Sequence, residues 1–316
     1  MFSLLKVRIK RKKNIKIIVI RVIIFMLLII PGLFIYGFGV ALVENTKVNQ
    51  AIEEFKSRAN GIYTEEVLDF GGTLQTRRYY EVSRETSYEL NDTRSVFYDD
   101  NRIYLGQKGD IFLAHESPFP NVPVIHQFIS YYFGGHAAIN NGENRFIEAT
   151  GFPEDDESLL EIILQPGDEP NDYSTTMSLS STNYWLNPRY RKETDEEYPY
   201  FGSNYRNNFA GLRVKDITSE QIDGAVDFAA SKVNVSLYNF TFFLDLEYKY
   251  YCTDLVSRAY QDVMVEPEDQ RNYSRALNDD RFITSVNDLI LSKETYLIFY
   301  VENIDNITNI YYLEDI

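Results

Sequence analysis

The chain has 316 residues, with 31 Lys+Arg against 47 Asp+Glu and a formal net charge of −16. A surface of that sign repels phosphate backbones and anionic headgroups, which argues against nucleic acid as a partner. One cysteine rules out an intramolecular disulfide framework, and the length is ample for one large core with additions.

The charge is unevenly placed. Lys6, Arg8, Lys10, Arg11, Lys12, Lys13, Lys16 and Arg21 precede residue 22 with no acid before Glu44, which leaves 23 basic against 47 acidic residues beyond them. From Val22 to Val43 runs an uncharged stretch of 22 residues. At about 1.5 Å per helical residue it reaches about 33 Å, enough for a hydrocarbon core of about 30 Å, and Pro31 and Gly32 would only kink it. The basic flank predicts a cytoplasmic segment over 1–21, a single-pass anchor in the cell membrane over 22–43, and an extracellular remainder. A cleaved signal peptide is the rival, because Gly39-Val40-Ala41 is a small-x-small site. The apolar run, however, exceeds the roughly 7 to 15 residues usual for such a region.

Residues 44–104 read as a stalk and lead-in. Val48, Ala51, Ile52 and Phe55 fall at helical spacing, while Arg77 to Tyr104 alternate charged and aromatic residues, compatible with strands or an irregular path. Three strand signals follow: Gly109-Asp110-Ile111-Phe112-Leu113, Gly135-His136-Ala137-Ala138-Ile139 and Phe146-Ile147-Glu148-Ala149. His126 falls in a Pro-containing stretch, Pro118 to Gln127, read as a loop. Residues 152–208, rich in acid, Asn and Tyr, look inserted, with Glu154-Asp155-Asp156-Glu157 and Glu193 to Glu197 as solvated loops. Beyond a strand near Gly211-Leu212-Arg213-Val214, the apolar spacing of Ile222, Ala225, Val226, Phe228 and Ala229 predicts a helix over 220–233 packed on a sheet. From Cys252 the apolar positions Leu255, Val256, Ala259, Tyr260 and Val263 predict a second helix, opening at the cysteine. The runs Tyr296 to Val301 and Ile310 to Leu313 predict late, paired strands.

A lone cysteine is a buried small hydrophobe, a dimer bridge or a reactive thiol. At the first turn of a helix, unpaired N–H groups and the helix dipole favour the thiolate, and a neighbouring imidazolium adds to that.

The wording and order of three segments add a resemblance. Gly109-Asp110-Ile111-Phe112-Leu113, then Gly135-His136-Ala137-Ala138-Ile139 with Ile147-Glu148-Ala149, then Leu237-Tyr238-Asn239-Phe240 with Tyr251-Cys252-Thr253-Asp254-Leu255-Val256, resemble the permuted papain-like hydrolases of the NlpC/P60 superfamily, in particular the YiiX/YaeF-like amidase group. The likeness covers about residues 105 to 265. Thr253 and Asp254 replace the group's usual serine and glutamate, and the insertion after Gly151 departs from its plan. Histidine before cysteine reverses ordinary papain-like order, as the permutation requires. The resemblance implies an α+β, circularly permuted papain-like fold over 105–316, an antiparallel sheet with packed helices. It also implies Cys252 as nucleophile, His136 as base and Glu148 as the group that orients the imidazole. Tyr238 would border the substrate or the oxyanion site, beside the Cys252 N–H. His115 and His126 compete for the base role but lack the small-His-small-small wording.

No metal or cofactor is expected, since three histidines eleven and ten residues apart form no ligand pattern. The function expected is hydrolysis of an amide at the cell envelope, in a peptidoglycan peptide or another acyl-amide. The alternatives are a lipid acyl hydrolase or acyltransferase, and a catalytically idle surface binding protein on the same scaffold.

Overall fold

The computed structural model describes residues 2–117, 123–149, 151, 153, 156–169, 172–188, 207–242, 245, 247–270, 276–277, 283–304 and 307–315. The chain divides into two compact units, Met1–Thr46 and Lys47–Ile316. Helix α1 (Phe2–Ser57) begins in the first; from Ile15 it carries an apolar run long enough to cross a membrane, exposed at most of its described positions, with Pro31 inside.

The second unit is built on strands β1 (Ala59–Asp69), β2 (Leu74–Val82), β3 (Ile111–Ala114), β4 (His136–Asn140), β5 (Phe146–Ala149), β6 (Met177–Leu179), β7 (Asn208–Val214), β8 (Thr295–Ile304) and β9 (Ile307–Leu313). They form one sheet in the order β1-β2-β9-β8-β7-β3-β4-β5-β6. Its helices are α2 (Ser87–Asn91), α3 (Pro123–Tyr132), α4 (Leu159–Leu164), α5 (Ser219–Ala230), α6 (Cys252–Met264) and α7 (Val286–Leu291). The fold is therefore α+β, but the sheet is mixed, which corrects the expectation of an antiparallel one. β2 runs parallel to β9, with Thr76 opposite Ile307 and Val82 opposite Leu313. Alternation along a strand reports which faces are covered and is silent on the direction of a distant partner.

Both faces of the sheet are buried, so central strands read as continuous apolar runs. Ile111 and Leu113 of β3 point to one core with Leu212, Ala225, Leu255 and Ala259, beneath α5 and α6. Phe112 and Ala114 point to the other, with Phe146, Trp185, Phe209 and Phe299. Segment 44–104 is more than a stalk. Val48 and Ile52 enter the first core, and Phe55, Tyr79, Val82, Val96 and Phe97 enter the second. Residues 152–208 likewise give β6 to the sheet and Tyr184, Trp185 and Leu186 to the core. Glu193 to Glu197 of the expected acidic loop lie outside the described residues. The stretch around His126 holds α3, whose first residue is Pro123, where a missing N–H costs nothing.

One buried ionic cluster ties these parts together. Arg213 of β7, 1% exposed, donates from Nε to Asp110 Oδ1 at 2.7 Å and from Nη2 to Asp110 Oδ2 at 3.0 Å. Its Nη1 reaches Asp92 Oδ2 at 2.9 Å and the Arg94 carbonyl at 3.0 Å, and Nη2 the Ser95 carbonyl at 2.7 Å. Burial pushes the Asp92 carboxyl up, but the Arg94 hydrogen bond and the Arg213 charge outweigh it and hold the group well below its ordinary range. Gly109, next in line, has φ +81°, and a Cβ there would lie 2.7 Å from Ile222 Cγ2 and 3.0 Å from the Tyr260 hydroxyl, which donates to the Gly109 carbonyl. Only glycine fits both constraints.

Arg213→Ala leaves the fully buried Asp110 carboxylate without its counter-charge, while Asp92 keeps Arg94, and is expected to cost about 3–5 kcal/mol in denaturant unfolding. Because the Asp92 carboxyl is depressed, its stabilisation is present above about pH 4 and lost as pH falls through its folded value. Denaturation midpoints of the unmodified chain should therefore fall on acidification below about pH 4 more steeply than those of Asp92→Asn.

Candidate active site

Cys252 is the first residue of α6. Its N-cap, Tyr251, has extended backbone (φ −106°, ψ 170°) and supplies no side-chain cap bond, so the thiol sits where the first-turn amides converge. The start of this helix is pinned from outside: Thr253 Oγ1 donates to the Thr284 carbonyl at 2.6 Å, and the Thr284 N–H donates to the Tyr251 hydroxyl at 2.9 Å.

His136 is the first residue of β4, opposite Ala114 in the register with β3. A close approach requires the glycine before it: a Cβ on Gly135 would lie 1.7 Å from the Glu116 carbonyl oxygen. The Gly135 N–H donates to the Ala114 carbonyl at 2.9 Å, which starts the ladder that aims the imidazole. Glu148, on β5, stands opposite Ala138.

The fold brings Cys252, His136 and Glu148 into one hydrogen-bonded chain. His136 Nε2 lies 2.7 Å from Glu148 Oε2, with the two residues 3% and 4% exposed. That leaves Nδ1 for the Cys252 sulfur, to which the imidazole also hydrogen-bonds. Burial alone would push the imidazole down. The bonds to Cys252 and Glu148, with the negative charge of each, outweigh it and raise His136 to about 9. The imidazole is thus held as a cation between two acids.

A cavity of about 370 Å³ opens on the sulfur. Its walls are mostly apolar, with Phe128 and Ile129 of α3, Phe133, Phe240, Phe242 and Val286 around His136 and Cys252. Phe133 stacks on Phe242 with centroids 5.9 Å apart and planes 4° apart, and Phe242 meets Tyr251 edge-on at 5.1 Å. Tyr238 lines the same cavity; burial first, then the charge of Cys252, pushes its hydroxyl well above the ordinary value, so it stays a neutral donor. His115 and His126 are not among the lining residues. Burial pushes His115 down to about 4, which leaves it uncharged. Among the described residues no group of three His, Cys, Asp or Glu side chains could hold a metal ion.

Two side chains at this site escaped sequence reasoning. The Tyr184 hydroxyl donates to Glu148 Oε2, the same oxygen that His136 engages. Trp185, fully buried, lies face to face with the His136 ring at 6.2 Å and 21°. Both sit between β6 and β7 with no periodic pattern around them; the one available signal was that Trp185 is the chain's only tryptophan.

No protein-family model, no curated protein and no solved structure matches the chain.

Because His136 is raised from an ordinary 6.5 to about 9, its charge stabilises the folded chain fully below about pH 6.5, and that contribution is lost as pH rises through about 9. The expected result is a falling denaturation midpoint across that window, with the slope missing from His136→Ala. Gly135→Ala should cost several kcal/mol, since backbone has to move to admit its methyl group.

Proposed function

We propose that the chain is a membrane-anchored cysteine hydrolase of acyl substrates, of the permuted papain-like kind its motifs resemble. The observation that carries this reading is the hydrogen-bonded order Cys252, His136, Glu148 at the edge of an apolar cavity. A thiolate at Cys252 attacks an acyl carbon, forming the C–S bond, while the carbonyl electrons move to oxygen. The Cys252 N–H and the neutral Tyr238 hydroxyl are the donors available for that oxyanion. Collapse expels the amine or alcohol, which takes the proton from His136. Water then attacks the thioester and gives a proton to His136; the acid leaves and the thiolate is restored. Glu148 fixes the tautomer by accepting from Nε2 and stabilises the imidazolium.

The first substrate class is an acyl-amide at the cell envelope, with peptidoglycan peptides as the leading example. The apolar lining of the cavity favours a second reading, in which the acyl part is a fatty chain and the enzyme is a lipid acyl hydrolase or acyltransferase. The apolar run of α1 supports membrane anchoring, and the basic residues before it support an exported catalytic unit.

Incubation with wall peptides and with p-nitrophenyl esters of increasing chain length, followed by intact mass, is expected to trap an acyl adduct on Cys252. Cys252→Ala should abolish turnover, and His136→Ala should lower it by about 10²–10⁴. Turnover that survives in Cys252→Ala, or a thiol that no acyl donor modifies, sinks the enzyme reading in favour of a binding protein. An impermeant maleimide should label Cys252 in intact cells; labelling only after lysis would reverse the orientation.

A further inference from the structure

We infer that Tyr184 is a positioning residue for the His136–Glu148 pair, an inference that rests on the catalytic reading above. It comes from the segment between β6 and β7, which the family likeness treats as an addition, so this chain has built part of its site from residues outside the shared plan.

The geometry is specific. Glu148 is 4% exposed, and a carboxylate so buried is stable only with donors on its oxygens. His136 Nε2 and the Tyr184 hydroxyl both meet the same oxygen, Oε2. Tyr184 itself is 3% exposed; its ring stacks on Trp185 at 5.8 Å and 20° and meets Phe146 edge-on at 6.0 Å. Phe146 lies on β5, two residues before Glu148, so the tyrosine ring and the carboxylate it serves are indexed to one strand. Trp185 extends the stack to the imidazole and packs on Phe112 at 5.3 Å. Tyr184 is therefore held by aromatic contacts on both sides with its hydroxyl directed at the oxygen that orients the base.

The consequence is a division of one oxygen's charge between two donors. The hydroxyl withdraws negative charge from Oε2 and fixes the carboxylate rotamer, which limits how strongly Glu148 retains the proton on His136. The other titratable groups facing the pair are Cys252 from α6 and Tyr238 and Tyr251 around the thiol, so the unit contains two acids, one imidazole and three phenols. Removing the Tyr184 hydroxyl leaves Glu148 a stronger acceptor and His136 harder to deprotonate.

The test compares the full chain in detergent with Tyr184→Phe, which keeps the ring and its stacking. With only three histidines in the chain, selective labelling of imidazole nitrogens resolves His136 by NMR. Titration of that signal and the pH profile of Cys252 alkylation are read side by side. The expected result is an upward shift of the His136 titration from about 9, with the alkylation profile following it. Acyl-transfer rate should fall by about tenfold or more, as loss of a hydrogen bond to a charged group predicts. Near-normal melting would accompany these changes. An unmodified chain whose alkylation ignores His136 overturns the catalytic reading itself. A normal profile there, with Tyr184→Phe identical to it in both titrations, overturns only the positioning role. Should Tyr184→Phe fail to fold, the His136 Nε2–H signal in Trp185→Phe gives the second reading: unchanged shift and solvent exchange would overturn the aromatic support for Tyr184.

Discussion

The buried bond between Arg213 and Asp110 is the constraint on which the remaining geometry depends. A guanidinium with almost no exposure loses its hydration and is stable only if its donors are met, and here Asp110, Asp92 and two carbonyls meet them. The bidentate fork fixes β7 against the start of β3. One residue back, the Gly109 carbonyl receives the Tyr260 hydroxyl from α6. β3 then pairs with β4, which begins at His136, while α6 begins at Cys252. His136 and Cys252, 116 positions apart in sequence, are thus both measured from one Gly-Asp dipeptide.

Around the site, polarity is concentrated rather than spread. Cys252, His136 and Glu148 form a polar line within walls of phenylalanine, isoleucine and valine. In such surroundings each interaction within the line is stronger than in water, and each unpaired charge is costlier. His136 gains its proton from that imbalance: two acidic partners exceed the penalty of burial. The phenols of Tyr238 and Tyr251 are pushed upward too, mainly by burial, and for a phenol a retained proton means no charge, so they act as neutral dipoles beside the imidazole.

Much of this was legible in the sequence, for identifiable reasons. Helices α5 and α6 announced themselves because one apolar stripe must face the sheet, and β8 and β9 because β-branched and aromatic residues cluster there. Cys252 and His136 stood out because their types are scarce, with one cysteine and three histidines in the chain. What stayed hidden was non-local. The parallel pairing of β2 with β9 leaves no mark in either strand, and so 44–104 looked like a lead-in. Tyr184 was one of 25 tyrosines, and only the fold reveals that its hydroxyl meets Glu148. Pro123 suggested a loop although it opens a helix, because proline at a first turn and proline in a turn read alike.

The pairing of β2 with β9 bears on how the chain reaches its folded state. Thr76 must wait for Ile307, 231 positions downstream, and the Glu314 N–H closes on the Val82 carbonyl, so β1 and β2 join the rest of the sheet only through β9. A chain emerging N-terminus first carries β1 and β2 as an unpartnered hairpin until β9 is made. That delay makes β9 the strand whose loss would leave open edges on both β2 and β8 within the sheet.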